Sequence, residues 1–114
     1  MKKQDMLKKN KEFRFVVSRG KSVSSPYMVL ICARSRTGKK LGFSVSAKLG
    51  NAVVRNRTKR VMRAGVTPLL PVMKQNTAYL FIARRSILGK KSTFVQEKML
   101  ELLKEAGVLN EGTC

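Results

Sequence analysis

An α+β domain is what this sequence predicts, and three observations carry the prediction. Apolar residues recur at helical spacing near each end, two β-rich runs precede a third helical segment in the middle, and one more apolar run follows that segment. With 114 residues the chain fits a single domain with one modest core. Its apolar fraction of 43% is ordinary for a globular protein, so the high charge does not mark a disordered chain.

Residues 1–9 form a lysine-rich tail, expected to be mobile, at the start of one domain spanning 1–114. From Asn10, a candidate N-cap, to Gly20, a stop, "NKEFRFVVSRG" sets Phe13, Val16 and Val17 at helical spacing, with Phe15 off the stripe. "YMVLICARS", between Ser-Ser-Pro and Arg-Thr-Gly-Lys, reads as a strand ending in a turn. "KLGFSVSAK" alternates Leu41, Phe43, Val45 and Ala47 with small or polar residues, so it reads as a second strand forming a hairpin with the first. A helix over 51–64 follows, then a loop with Pro68 and Pro71, then the strand "AYLFIARR". The closing segment "STFVQEKMLELLKEAG" has a candidate capping box from Thr93 to Gln96, an apolar stripe of Val95, Met99, Leu102, Leu103 and Ala106, and Gly107 as its stop.

The net charge of +19 is distributed unevenly. The acids are Asp5, Glu12, Glu97, Glu101, Glu105 and Glu111, so none lies between Phe13 and Gln96. Such a field opposes compaction by self-repulsion, and a polyanion with closely spaced charges relieves it. Nucleic acid is the expected partner. Two cysteines, Cys32 in an apolar run and Cys114 at the terminus, make no disulfide framework, which points to a reducing, cytoplasmic compartment. "MKKQDMLKKNKEF" lacks the apolar stretch of a signal peptide, and "YMVLICA" is far short of the roughly 20 residues of a membrane span.

The cations concentrate in "GNAVVRNRTKR". At 100° per residue, Val54, Thr58, Val61, Met62 and Gly65 share the side expected to be buried, while Arg55, Asn56, Lys59, Arg60 and Arg63 fall on an arc roughly opposite, with Arg57 flanking. Cations at i and i+4 repel one another, so helix stability alone does not choose this arrangement. No carboxylate is available at i±3 or i±4 to build a salt-bridged exterior. Arginine forks engage paired phosphate oxygens, asparagine adds neutral donors, and the helix start at Gly50-Asn51 offers free N–H groups to a further phosphate.

"LGFSVSAKLGNAVVRNRTKRVMR", Leu41 to Arg63, resembles the signature of the bacterial ribonuclease P protein subunit, and weaker similarity runs through "LKKNKEF", "YLFIARR" and the closing helix. The resemblance implies an α-β-β-β-α-β-α sandwich of the ribosomal protein S5 domain 2-like class, with a left-handed β-α-β crossover. It implies a protein that binds a catalytic RNA and the 5′ leader of precursor tRNA, monomeric in a 1:1 complex, while the RNA hydrolyses the phosphodiester with Mg²⁺ held mainly by RNA subunit and substrate. It implies that Lys48, Asn51, Arg55, Asn56, Arg57, Lys59, Arg60 and Arg63 face the RNA subunit. A separate leader cleft between the first helix and the sheet would hold Phe13, Val17, Tyr27 and Ile31, of which Val17 and Ile31 are aliphatic where aromatics are common. Thr58 stands where the family usually has an aliphatic residue.

The polypeptide carries no recognisable catalytic set. It has no histidine, its acids are confined to the ends, "LGKKS" fails as a phosphate loop, and "GFSVS" lacks the second glycine of a nucleophile elbow. Arg84-Arg85 with Lys90-Lys91 is either solvated loop charge or a peripheral phosphate contact. The competing reading of the chain is a structured-RNA-binding or ribosome-associated protein with no catalytic association. A duplex-DNA binder lacks a helix-turn-helix, zinc-finger or heptad pattern.

Overall fold

The computed structural model describes residues 10–35 and 38–108. Its main elements run α1 (Asn10–Arg19), β1 (Lys21–Ser24), β2 (Met28–Arg34), β3 (Lys40–Ser44), α2 (Ala52–Val66), β4 (Thr77–Ala83) and α3 (Ser92–Ala106). This is the α-β-β-β-α-β-α order that the resemblance implies. The four strands form one mixed sheet in the order β1-β2-β4-β3, with β3 and β4 parallel and the other neighbours antiparallel.

The expected hairpin does not form. β2 pairs with β1 on one edge and β4 on the other, and β3 pairs only with β4. The reason lies in β4, whose run "TAYLFIA" is buried on both faces apart from half-buried Thr77 and Ile82. Placed between β2 and β3, it sets Phe81 opposite Leu30 and Phe43 and stacks the two phenyl rings with centroids 6.0 Å apart. At an edge, the same strand would leave that surface half-wet. β1, "KSVS", has no apolar alternation and three exposed residues, which is why the sequence pattern does not reveal it.

The sheet divides the core in two. On one face Leu30, Leu41, Phe43, Tyr79 and Phe81 meet Met62 and Val66 of α2 and Val95, Met99 and Leu103 of α3. On the other face Val16 of α1 meets Ile31, Ala33, Ala78 and Leu80. The apolar stripe read on the first helix is therefore narrower than expected: Val16 is buried, whereas Val17 is 56% exposed. Gly20 does stop the helix, donating its N–H to Val16 O, and a Cβ there would lie 2.6 Å from Ile31 Cγ2. The Asn10 cap and the Phe13 and Phe15 side chains lie outside the described residues.

Helix ends follow local chemistry with one exception. The Thr93–Gln96 capping box is absent, because α3 begins at Ser92 with Lys91 as its N-cap and no side-chain cap bond. Thr93 is already inside the helix, so its hydroxyl is in the wrong place to cap it. Gly107 closes α3 in the left-handed region, donating to Leu103 and Lys104 carbonyls. The proline segment, read as a loop, is a 3-10 turn over Thr67–Val72. α2 runs on beyond Ala64 because Gly65 and Val66 are buried. A Cβ on Gly65 would sit 3.1 Å from Gln96 N and 3.2 Å from Ser92 O, so α2 and α3 touch backbone to backbone. Gly65→Val is expected to lower stability by about 2 kcal/mol or more through overpacking, read as a shifted urea midpoint.

Burial pushes the Cys32 thiol and the Tyr79 phenol each up to about 12 from ordinary values of 9.0 and 10.0. Tyr79 also donates from its hydroxyl to Lys74 O at 2.7 Å. Both folded pKa values are raised, so the unfolded chain releases these protons first. Stability from them is complete below about pH 9 and is lost towards pH 12, by at most about 1.4 kcal/mol per pH unit for each group. Urea midpoints of wild type and Cys32→Ala should converge between about pH 9 and 12. A constant gap across that range would refute the assignment.

Candidate RNA interface

The approach to α2 explains the motif "GNAVVRNR" before any partner is invoked. Ser46 caps the 3-10 turn Ala47–Leu49 by accepting from Lys48 N. Gly50 has φ +154°, and a Cβ there would lie 2.9 Å from Val54 Cβ, so glycine is required. Asn51 is the N-cap, its Oδ1 accepting from Val54 N at 3.1 Å. One of the N–H groups offered at this helix start is thus already satisfied within the protein.

The two sides of α2 are sorted as helical geometry requires, with two displaced cations. Thr58, Met62, Gly65 and Val66 are buried, and Val54 and Val61 half-buried. The Thr58 hydroxyl donates to Val54 O at 2.8 Å, which lets a polar residue occupy that site. Asn56, Arg57, Arg60 and Arg63 are exposed. Arg55 and Lys59 are half-buried and border the buried arc instead of opposing it, because the extension to Val66 rotates the centre of that arc towards them. Arg55 Nε is shielded from solvent without a hydrogen-bond acceptor. Val53, 66% exposed, lies among the exposed cations.

Lys48 is exposed on the turn preceding α2, and its carbonyl accepts from Arg85 Nη2 at 3.3 Å. This bond brings the basic segment after β4 alongside the start of α2, a juxtaposition with no local sequence signal. The ion pair found among the described residues is Lys98–Glu101 at 3.4 Å on α3, so the α2 cations are not ion-paired there. The face is an array of unneutralised donors on a rigid helix, suited to phosphate oxygens.

Of the expected leader cleft, Tyr27 stands apart from Val17 and Ile31, and the Phe13 side chain lies outside the described residues. Ile31, 8% exposed, faces α1, and Val17 stands on α1 itself. Tyr27 belongs with the α2–α3 face, where its ring meets Phe94 edge-on at 4.9 Å and Lys98 Nζ lies 5.6 Å from its centroid. Register places Ser24, Val29, Ile82 and Ser44 in one row on the α1 face, with Val29 and Ile82 half-buried. Sequence reading missed Val29 and Ile82; their signal is strand parity with Ile31, usable only once the pairing is known. Among the described residues no group of three or more His, Cys, Asp or Glu side chains could hold a metal ion, and no helix is long and apolar enough to cross a membrane.

The comparisons with known proteins converge. The family model Ribonuclease P matches residues 1–107. The chain is 41% identical over 110 residues to the ribonuclease P protein component of Clostridium botulinum (strain Loch Maree / Type A3), covering 95% of this chain and 99% of that one. It superposes on the Staphylococcus aureus RNase P protein with a TM-score of 0.82 at 30% identity, covering 93% of this chain and 98% of that one. A mutant of the S. aureus protein, described as having defective mRNA degradation activity, gives a TM-score of 0.83 at 30% identity over 93% of this chain and 91% of that one. The exposed cations of α2, the mixed sheet and the full-length identity have one common meaning: the chain belongs to the bacterial ribonuclease P protein family, whose members are the protein subunits of a tRNA-processing ribonucleoprotein enzyme.

Proposed function

We propose that Lys48, Asn56, Arg57, Arg60 and Arg63 contact the catalytic RNA, with Arg55 and Lys59 flanking and Asn51 serving first as the cap that fixes the helix start. The observation that carries this reading is the unneutralised solvent arc of α2. The 5′ leader of precursor tRNA runs over the α1 face of the sheet, past Val17, Ile31, Val29 and Ile82. Val17, Ile31, Val29 and Ile82 offer it aliphatic contact. Phe13 would join this surface from α1, and Tyr27 would reach only its margin. The protein acts as a monomer in a 1:1 cytoplasmic complex, as one RNA-binding domain over 1–114. Its work is electrostatic: it offsets repulsion between two RNAs, and Mg²⁺ is held mainly by RNA subunit and substrate. The parallel neighbours β3 and β4, joined through α2, form a β-α-β unit, which supports the S5 domain 2-like class; on this reading its crossover is left-handed.

The test is cleavage of a precursor tRNA by the cognate catalytic RNA at low Mg²⁺, with and without the protein. Strong stimulation is expected. Tight binding without stimulation, and equal binding to any structured RNA, would instead favour a general RNA-binding protein. Arms with protein alone, on precursor tRNA and on an mRNA, measure any cutting by the polypeptide, including the activity named for the S. aureus protein.

A further inference from the structure

Beside the exposed arc of α2 lies a cleft of about 340 Å³ that the reading above does not use. Its floor includes Met62, fully buried, and Ile87, 2% exposed. Its walls include Val61 and Leu88, both half-exposed, and its rim carries Arg57 and Lys90, both exposed. The volume is at the lower end of the ~300–1,000 Å³ range of small-ligand sites, and an apolar floor with a few charged groups at the mouth is the usual build of such sites. The size admits one nucleoside and excludes a duplex.

Both rim charges are cationic, and neither is ion-paired among the described residues. Lys90 is also held in place: its Nζ lies 5.2 Å from the Phe94 ring centroid, on the side of the chain that leads into α3. Arg57 projects from the helix that the proposed function assigns to RNA. An occupant with an apolar planar body and an anionic edge fits this combination, and single-stranded RNA supplies one in every unstacked nucleotide.

We propose that the cleft between α2 and the segment 87–90 receives one unpaired nucleotide of an RNA partner, its base against Val61, Ile87 and Leu88 and its phosphate between Arg57 and Lys90. This rests on the assignment of α2 to RNA and adds a site that reads an unstacked base, where the exposed helix face reads only backbone. The aliphatic walls accept any base, and the Thr58 hydroxyl at the floor already donates to Val54 O. The site therefore selects for a nucleotide free of pairing, not for its identity. The nucleotide belongs either to the catalytic RNA or to precursor tRNA.

The test is 2′-hydroxyl acylation footprinting of the catalytic RNA and of precursor tRNA, each separately saturated with the full-length protein. Wild type is expected to change the reactivity of one unpaired nucleotide, in whichever RNA supplies it. Leu88→Trp, which fills the mouth and keeps every charge, should return that nucleotide to its free value, weaken binding about tenfold and leave the salt slope unchanged. Thermal unfolding checks that the variant folds, and Val61→Phe repeats the experiment from the opposite wall. An identical footprint and affinity for both filled variants would overturn the cleft proposal. Failure of the assignment beneath it has a separate signature, an unchanged salt slope in Arg60→Ala and Arg63→Ala, which lie outside the cleft.

Discussion

Replacing Arg57, Arg60 and Arg63 together with alanine is expected to weaken binding of the catalytic RNA roughly a thousandfold at physiological salt, at about 1.5 kcal/mol per charged contact. The slope of log K against log salt should flatten by about two to three units, because each lost phosphate contact returns its released counterions. All three side chains are exposed, and none is ion-paired among the described residues, so their removal breaks no internal contact recorded there. They stand three apart on one helix, where like charges repel, and alanine is the better helix former. Thermal stability of the free protein should therefore hold or rise slightly while affinity falls. That opposition of signs is what a purely structural role for these arginines cannot produce. Lys104→Ala on α3 is the control and should leave the slope unchanged. A triple variant whose slope moves by less than about one unit would remove this face from the interface.

Phe81→Ala should be the most damaging single change to the fold. Phe81 is fully buried in β4, opposite Leu30 of β2 and Phe43 of β3, and stacks on Phe43 at an interplanar angle of 14°. Loss of a buried phenyl ring costs about 3–5 kcal/mol, against a total stability of about 5–15 kcal/mol for a domain of this kind. The net charge of +19 lowers the margin further by self-repulsion. The midpoint of thermal unfolding should fall by roughly 10–20 °C. Catalytic RNA at a hundredfold excess over its dissociation constant should recover about 2.7 kcal/mol by linkage, so the variant should unfold at a higher temperature in the complex than when free. Circular dichroism of the free protein that stays within a few degrees of wild type would contradict the placement of Phe81 at the centre of the sheet.

Where a residue's state depends on its near neighbours in sequence, reading the chain was enough. α2 starts at Gly50-Asn51, Gly107 ends α3, and Thr58, Met62 and Gly65 are buried as their spacing requires. The same holds for the family signature, whose Gly50 answers to a local backbone angle and a contact four residues away. What failed were inferences that needed a partner distant in the chain. The hairpin was expected because adjacent strands joined by a turn usually pair, and β4 displaced that pairing with a larger apolar surface. β1 carries no pattern of its own and exists because β2 offers it an edge. Val17 has the spacing of a core residue, yet among the described residues of α1 it is Val16 that packs onto the sheet while Val17 is exposed.

The candidate site divides in the same way. Which side chains are cationic, that they share one helix, and that no carboxylate accompanies them were determined by the sequence alone, since charge and helical periodicity are local properties. Which of them reach solvent was decided by the tertiary structure, because the burial of Gly65 and Val66 against α3 sets the rotation of α2 and turns Arg55 and Lys59 towards the protein. The meeting of Arg85 with Lys48 and the cleft between Arg57 and Lys90 were likewise decided only in three dimensions. Each joins segments about 30 or more residues apart, and no periodic pattern extends over such a distance.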